Sequence, residues 1–265
     1  MADSKNDNPN KGHRQRVKER FLADGNMDSF QDYEVLEMML FYAYPMKDTK
    51  PVAKKLISMY GSLHGVINTE PEQLVQEAKL TENVAIYLSM FPSVMRRYTK
   101  SFYSKGKIID CFSKAVDLFS GLLKAQPFES FYLVSLDIAK KVISIDRISD
   151  GNAVEVSLCC DNILKKALLN KASFVIIGHN HPSGFCEPST EDYQITRALN
   201  EGLESLKIKL IDHIIICVFS KKCNNRTVTS RFFLFGFFFT FRGNRCSGRS
   251  RYYLRPDPGC CRQGL

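Results

Sequence analysis

The chain lacks any apolar run able to cross a bilayer. Its longest apolar block, FFLFGFFFTF at residues 232–241, falls far short of the roughly 20 residues a spanning helix requires. The opening stretch MADSKNDNPNKGHRQRVKER has no apolar core, so no secretory leader is expected. Together these absences predict a cytoplasmic protein with no membrane partner. CxxC pairs are missing too, although nine cysteines are present. In a reducing compartment such cysteines are expected as free thiols or metal ligands rather than as a disulfide framework. A basic body is also absent. Residues 1–216 hold 27 Lys+Arg against 27 Asp+Glu, and the whole formal excess of +9 lies in residues 217–265, whose only acid is Asp257. This excludes a global electrostatic attraction to nucleic acid and leaves only the tail to support one.

What is present divides the 265 residues into segments of different texture. Residues 1–11 are polar and contain Pro9 but no apolar anchor, which predicts disorder. Residues 12–100 read as a small all-helical domain. RQRVKERFL and DYEVLEMMLFYAY carry apolar positions at helical spacing, and the next helix opens at Asp48 or Thr49, takes Pro51 in its first turn and closes at Gly61. Thr69 and Glu72 have the spacing of a capping box, with Thr69 as N-cap. The polar, glycine-containing SFYSKGK at 101–107 reads as a linker. From 108 to 216 helices alternate with β-rich runs, and the apolar strands SFVIIGHNH and IKLIDHIII stand out. That alternation predicts an α/β or α+β layered fold. Beyond residue 216 the texture breaks. The tail at 217–265 holds five of the nine cysteines and eight of the nineteen phenylalanines, and reads as a frameshifted or otherwise aberrant C-terminus. On that reading the edge of the IKLIDHIII strand is unpaired and FFLFGFFFTF is an aggregation hazard.

The chemistry concentrates in GHNHPSGFCEPSTEDYQIT, residues 178–196. A strand shows residues i and i+2 on one face, about 6–7 Å apart, so His179 and His181 point the same way. Pro182, Ser183 and Gly184 then turn the chain. Ser189 has the position of an N-cap and Asp192 falls in the first turn of the helix that follows, which returns a carboxylate towards the strand end. Two neutral imidazoles and one carboxylate, with a fourth position open, are the donor set with which catalytic zinc acidifies a water. HxH alone is common, and Ser-x-x-Asp is an ordinary capping box. The order of strand, HNHP, glycine turn, PSxxD and helix is what favours a metal.

HNHPSG, PSTED, ITRAL and LIDHIII, with GHRQRVKERFL, DYEVLEMML and AKKLISMYGSL before them, resemble the RadC-like proteins of the JAB/MPN superfamily, whose metal signature is called JAMM. The resemblance covers about residues 12–216. It implies a β-sheet flanked by helices, preceded by a helix-hairpin-helix-like module, with Zn²⁺ held by His179, His181 and Asp192. Active superfamily members are metallopeptidases, often isopeptidases, which implies a protein or peptide substrate. Ser189 matches the serine that steadies the oxyanion. The family's general acid/base is a glutamate five residues before a glycine, and that spacing from Gly151 lands on Asp146. An aspartate is one methylene shorter, about 1.5 Å, in a step that needs contact within about 2.6–3.2 Å, so weakened turnover is expected. Glu129 or Glu155 could substitute for it, but neither has the family spacing. The alternative function is a non-catalytic metal-binding module in DNA repair or DNA metabolism; a nuclease on the same metal ranks third.

Other residues read more plainly. Cys186 is expected as a loop thiol, and His213 and Asp212 as strand residues, His213 behind the ligands rather than among them. His13 and His64 have no constellation around them. The stretch AKLTENVA occupies the position of a helix-hairpin-helix hairpin but contains no glycine, so phosphate binding through its backbone is not expected there and DNA is a weakly supported partner.

Overall fold

A computed structural model describes residues 12–124, 126, 128–150, 156–184, 187–218, 227–232 and 238–242. The chain forms two compact units, Met1–Val94 and Met95–Leu265. Residues 1–11, Gly151, Glu155, Cys186 and most of the tail, for which the sequence carries expectations, lie outside the described residues.

In the first unit, α1 (His13–Asp24), α2 (Asp32–Ala43), α3 (Lys50–Tyr60), α4 (Leu63–Ile67), α5 (Pro71–Gln76) and α6 (Glu82–Ser89) follow in order. Leu36, Leu40, Leu56, Leu74 and Leu88 form its buried core. The caps follow their residue types only in part, since neither Thr49 nor Thr81 makes a side-chain cap bond. Thr49 is the N-cap of α3, proline occupies its first turn, and Gly61 closes it with φ 82°, a conformation that glycine adopts without steric cost. The Thr69 box is not formed. Glu70 is the N-cap of α5, and the Thr69 hydroxyl instead donates to the Gly65 carbonyl at 2.7 Å, the i−4 bond open to a threonine that follows a helix. His13 acquires a partner, since its Nε2 lies 2.8 Å from Oε1 of the buried Glu37. Between α5 and α6 the glycine-free hairpin makes its turn with Lys79 at φ 59°.

The division between units falls within α7 (Phe91–Phe102), so the first two residues of the expected 101–107 linker are helical. Gly106 then takes φ 93°, its amide donates to Val142 O, and Lys107 O accepts from Val142 N.

The second unit is a mixed sheet with helices on both faces, the layered fold expected. Its elements are α8 (Phe112–Leu123), β1 (Ser130–Leu136), β2 (Val142–Asp150), α9 (Val156–Leu169), β3 (Phe174–His181), α10 (Thr190–Ser205), β4 (Lys209–Val218), β5 (Thr227–Phe232) and β6 (Phe238–Arg242). Strand order is β2-β1-β3-β4-β5-β6. All neighbours pair antiparallel except β3 and β4, whose parallel pairing requires the crossover that α10 supplies. Alternation along the strands sorts the core into two layers. Tyr132, Val134, Ile176 and Ile214 pack with Leu118, Phe119 and Leu122 of α8. Phe131, Leu133, Val175 and Ile177 pack on the opposite face with Ile163 of α9 and Leu199 and Leu203 of α10.

Two expectations about the tail end need correction. The edge of β4 is not unpaired: β5 covers it from His213↔Phe232 to Val218↔Thr227, and β6 covers β5. A ladder is built from backbone groups, and the alternating, β-branched TVTSRF suits an extended chain whatever its origin. Nor are all the thiols free. Cys111, Cys159 and Cys160 are, but Cys217, buried at the end of β4, is disulfide-bonded.

At Gly178, one residue before the first histidine, α8 lies close against the sheet. A Cβ there would lie 2.5 Å from Phe119 Cδ1 and 2.9 Å from the Ile214 carbonyl oxygen. Phe119 is fully buried and cannot swing away. Gly178→Ala is therefore expected to destabilise the protein by about 1–3 kcal/mol through overpacking, read as a lowered melting temperature. An unchanged melt would show that the α8 layer yields at this point.

Candidate metal centre

The site is assembled at the end of β3, on the face that carries α9 and α10. His179 and His181 follow Val175 and Ile177 on this face by strand alternation. After His181 the chain turns through Gly184, at φ 83°, whose amide donates to the His181 carbonyl at 3.1 Å. Ser189 then caps α10 as its spacing foretold. Its Oγ accepts from the Asp192 amide at 3.1 Å, and its own amide donates to Asp192 Oδ2 at 2.8 Å. A box of this kind contributes on the order of 1 kcal/mol, and here it also fixes the carboxylate.

The three expected ligands converge. His179 Nε2 lies 2.9 Å from His181 Nε2 and 3.0 Å from Asp192 Oδ1, and His181 Nε2 lies 3.4 Å from Asp192 Oδ2. Donors about 2.0 Å from a shared tetrahedral ion stand about 3.3 Å from each other, so the spacing suits a zinc-sized cation. The donor chemistry agrees. Each of these atoms is a lone-pair site unless protonated, and three lone-pair sites packed this closely, two of them on buried side chains, call for a positive charge among them.

The electrostatics carry the same signature. Burial works against the charged form of Asp192, but the imidazoles of His179 and His181 beside it and the Ser189 amide outweigh it and hold the carboxyl far below its ordinary range. His179 is fully enclosed, whereas the His181 side chain is 14% exposed, so the centre opens to solvent on the His181 side. Ring packing fixes the first histidine: Phe131, opposite it on β1, stacks on its imidazole at 5.5 Å with planes 6° apart.

Asp146 is not where the sequence put it. Its carboxylate accepts from Ser144 Oγ at 2.6 Å, Asn170 Nδ2 at 3.1 Å and Lys166 Nζ at 3.2 Å, contacts that offset the cost of its burial and lower its pKa. Register explains the position. Asp146 pairs with Leu133, and Leu133 pairs with Ile177, two residues short of His179 and so about 6–7 Å away along the strand. Among the described residues it joins no potential metal-binding group.

The carboxylate that does reach the histidines is Glu129. Ligand atoms of Glu129, His179 and His181 lie within 4.8 Å of one another, and Glu129 is exposed on the open side. Asn180, the buried residue between the two histidines, holds it there. Its Oδ1 accepts from the Ser130 amide at 2.8 Å, and its Nδ2 donates to the Phe128 carbonyl at 3.1 Å. The middle residue of HNH thus clamps the start of β1 beside the centre. The signal available in the sequence was the position of Glu129 directly before the apolar strand SFYLVSL, which pairs with the HNH strand.

Ser189 lies at the centre but is engaged, because its hydroxyl donates to Asp192 Oδ2 at 2.9 Å. His213 sits behind the ligands, as expected. It pairs with Ile177 in the sheet and so shares the face of His179, and its Nε2 is 2.9 Å from His179 Nδ1. Burial, then the neighbouring His179, holds His213 well below its ordinary pKa.

A mixed sheet that delivers two histidines from one strand end to a carboxylate in the first turn of the next helix is a JAB-type domain. Residues 109–225 match the family model of the RadC-like JAB domain. A UPF0758 protein of Fusobacterium nucleatum subsp. nucleatum is 33% identical over 214 residues, covering 78% of this chain and 92% of that protein. The chain belongs to the RadC-like JAB family. The match runs past residue 216, the end of the segment in which the sequence pattern was legible. Among the described residues no helix is long and apolar enough to cross a membrane.

Proposed function

We propose that the chain is a zinc-dependent hydrolase that cleaves peptide or isopeptide bonds in protein substrates, in a cytoplasmic setting. The observation that carries this reading is the set of lone-pair atoms on His179, His181 and Asp192, about 3 Å apart, with the Glu129 carboxylate at their exposed rim. Two imidazole nitrogens and one carboxylate oxygen are a donor set suited to zinc. When bound, the ion supplies Lewis-acid chemistry, polarising a carbonyl and acidifying water.

The protein's own groups supply the rest. Asp192 brings the negative charge, held in place by its bonds to the Ser189 amide and hydroxyl. Glu129 is the base: a carboxylate oxygen takes the proton of the attacking water and later gives it to the departing nitrogen. Ser189 Oγ is the nearby hydroxyl donor for a developing oxyanion, and to act there it must release Asp192 Oδ2. Substrate enters from the His181 side, where the centre is open.

The test is hydrolysis of a panel of peptide and isopeptide substrates by the zinc-reconstituted full chain. Cleavage that disappears with a chelator and returns with zinc is the expected result. A protein that holds zinc and cleaves no amide in the panel would instead be the non-catalytic metal-binding module.

A further inference from the structure

The third histidine of the centre has a place in a directed chain of hydrogen bonds. Thr196, one turn after Asp192 on α10, has its Oγ1 2.6 Å from the Asp192 carbonyl oxygen and 2.6 Å from His213 Nδ1. A carbonyl only accepts, so the hydroxyl proton of Thr196 is committed to it. Towards His213 the hydroxyl is then an acceptor, and Nδ1 of His213 must carry the proton. Nε2 of His213 faces His179 Nδ1 at 2.9 Å, and a His179 that gives Nε2 to an ion keeps its own proton on Nδ1, so His213 Nε2 is the acceptor between the two rings. His179 therefore donates from Nδ1, and its remaining lone pair is on Nε2, the nitrogen that points at His181 and Asp192.

We infer that Thr196 and His213 are positioning residues that set the tautomer of His179, through the sequence Asp192 carbonyl, Thr196 hydroxyl, His213 imidazole, His179 imidazole, and so keep its Nε2 as a metal donor. The inference rests on the metal reading of the centre and adds a cause for its readiness. The starting carbonyl belongs to Asp192, itself a ligand, so one helical turn of α10 provides both a donor to the ion and the orientation of another. Phe131 packs against both rings, at 5.5 Å from His179 and 5.6 Å from His213, which limits their rotation. Outer partners of this kind are worth about 10–100-fold in metal affinity.

Thr196→Val keeps the shape and removes the hydroxyl, while Thr196→Ser keeps the hydroxyl. Zinc affinity, measured by competition with a chromophoric chelator on the full chain, is expected to fall about tenfold in Thr196→Val and to stay near wild type in Thr196→Ser. Nitrogen-15 imidazole spectra of the zinc-loaded wild type should show a proton on Nδ1 of both His179 and His213, with that pattern lost in Thr196→Val. Wild-type affinity in Thr196→Val, or a ring without a proton on Nδ1 at His179 or His213 in the zinc-loaded wild type, would overturn the inference while leaving the metal reading intact. Absence of zinc binding by the wild type would overturn the metal reading and the inference with it.

Discussion

His179→Ala is expected to reduce bound zinc from one ion per chain to none after dialysis, as read by elemental analysis. His179 is the one residue common to both groups of potential ligands, Glu129–His179–His181 and His179–Asp192–His213. Removing it leaves each group with one imidazole and one carboxylate, too few donors for a tight zinc site. The metal-free variant should also be less stable by about 1–3 kcal/mol, because the buried His213 loses its 2.9 Å contact with His179. His181→Ala separates the two effects. That side chain is partly exposed, so its loss should weaken zinc binding by more than the roughly 10–100-fold typical of an outer partner while the metal-free melt moves little. Full zinc occupancy in both variants would place the ion elsewhere.

The parts of this centre that were legible in the sequence are those made by local rules. Strand alternation puts His179 and His181 on one face, and a capping box returns Asp192 from a helix start, all within fourteen residues. Nothing beyond short-range geometry is needed for either. The carboxylate at the rim is different, because its place depends on which residues of distant strands lie opposite each other. Counting back from Gly151 gave Asp146, but the β1–β2 ladder carries a bulge between Phe131 and Tyr132, and the register leaves Asp146 opposite Leu133. Glu129 arrives because Asn180 binds the chain around Ser130, a contact between residues fifty positions apart. The layered fold was readable from alternating periods, whereas the closure of the β4 edge by β5 was not, since backbone pairing leaves little trace in composition.

Exchanging the two carboxylates decides which of them works. Glu129→Gln preserves shape and removes the proton acceptor, so amide hydrolysis is expected to drop by about 10²–10⁴-fold with zinc content unchanged. Asp146→Asn should leave the rate near wild type. Its carboxylate meets Lys166, Asn170 and Ser144 rather than the histidines, and the cost should appear as stability, on the order of 1 kcal/mol for a partly exposed ion pair. Asn180→Ala provides an independent check on geometry. It leaves the Glu129 carboxylate in the chain but releases the clamp on β1, so hydrolysis should fall although every ionisable group is retained. If Glu129→Gln turned over normally and Asp146→Asn did not, the catalytic carboxylate would belong to β2, and the β1–β2 register would have to shift by about two residues to bring it level with His179.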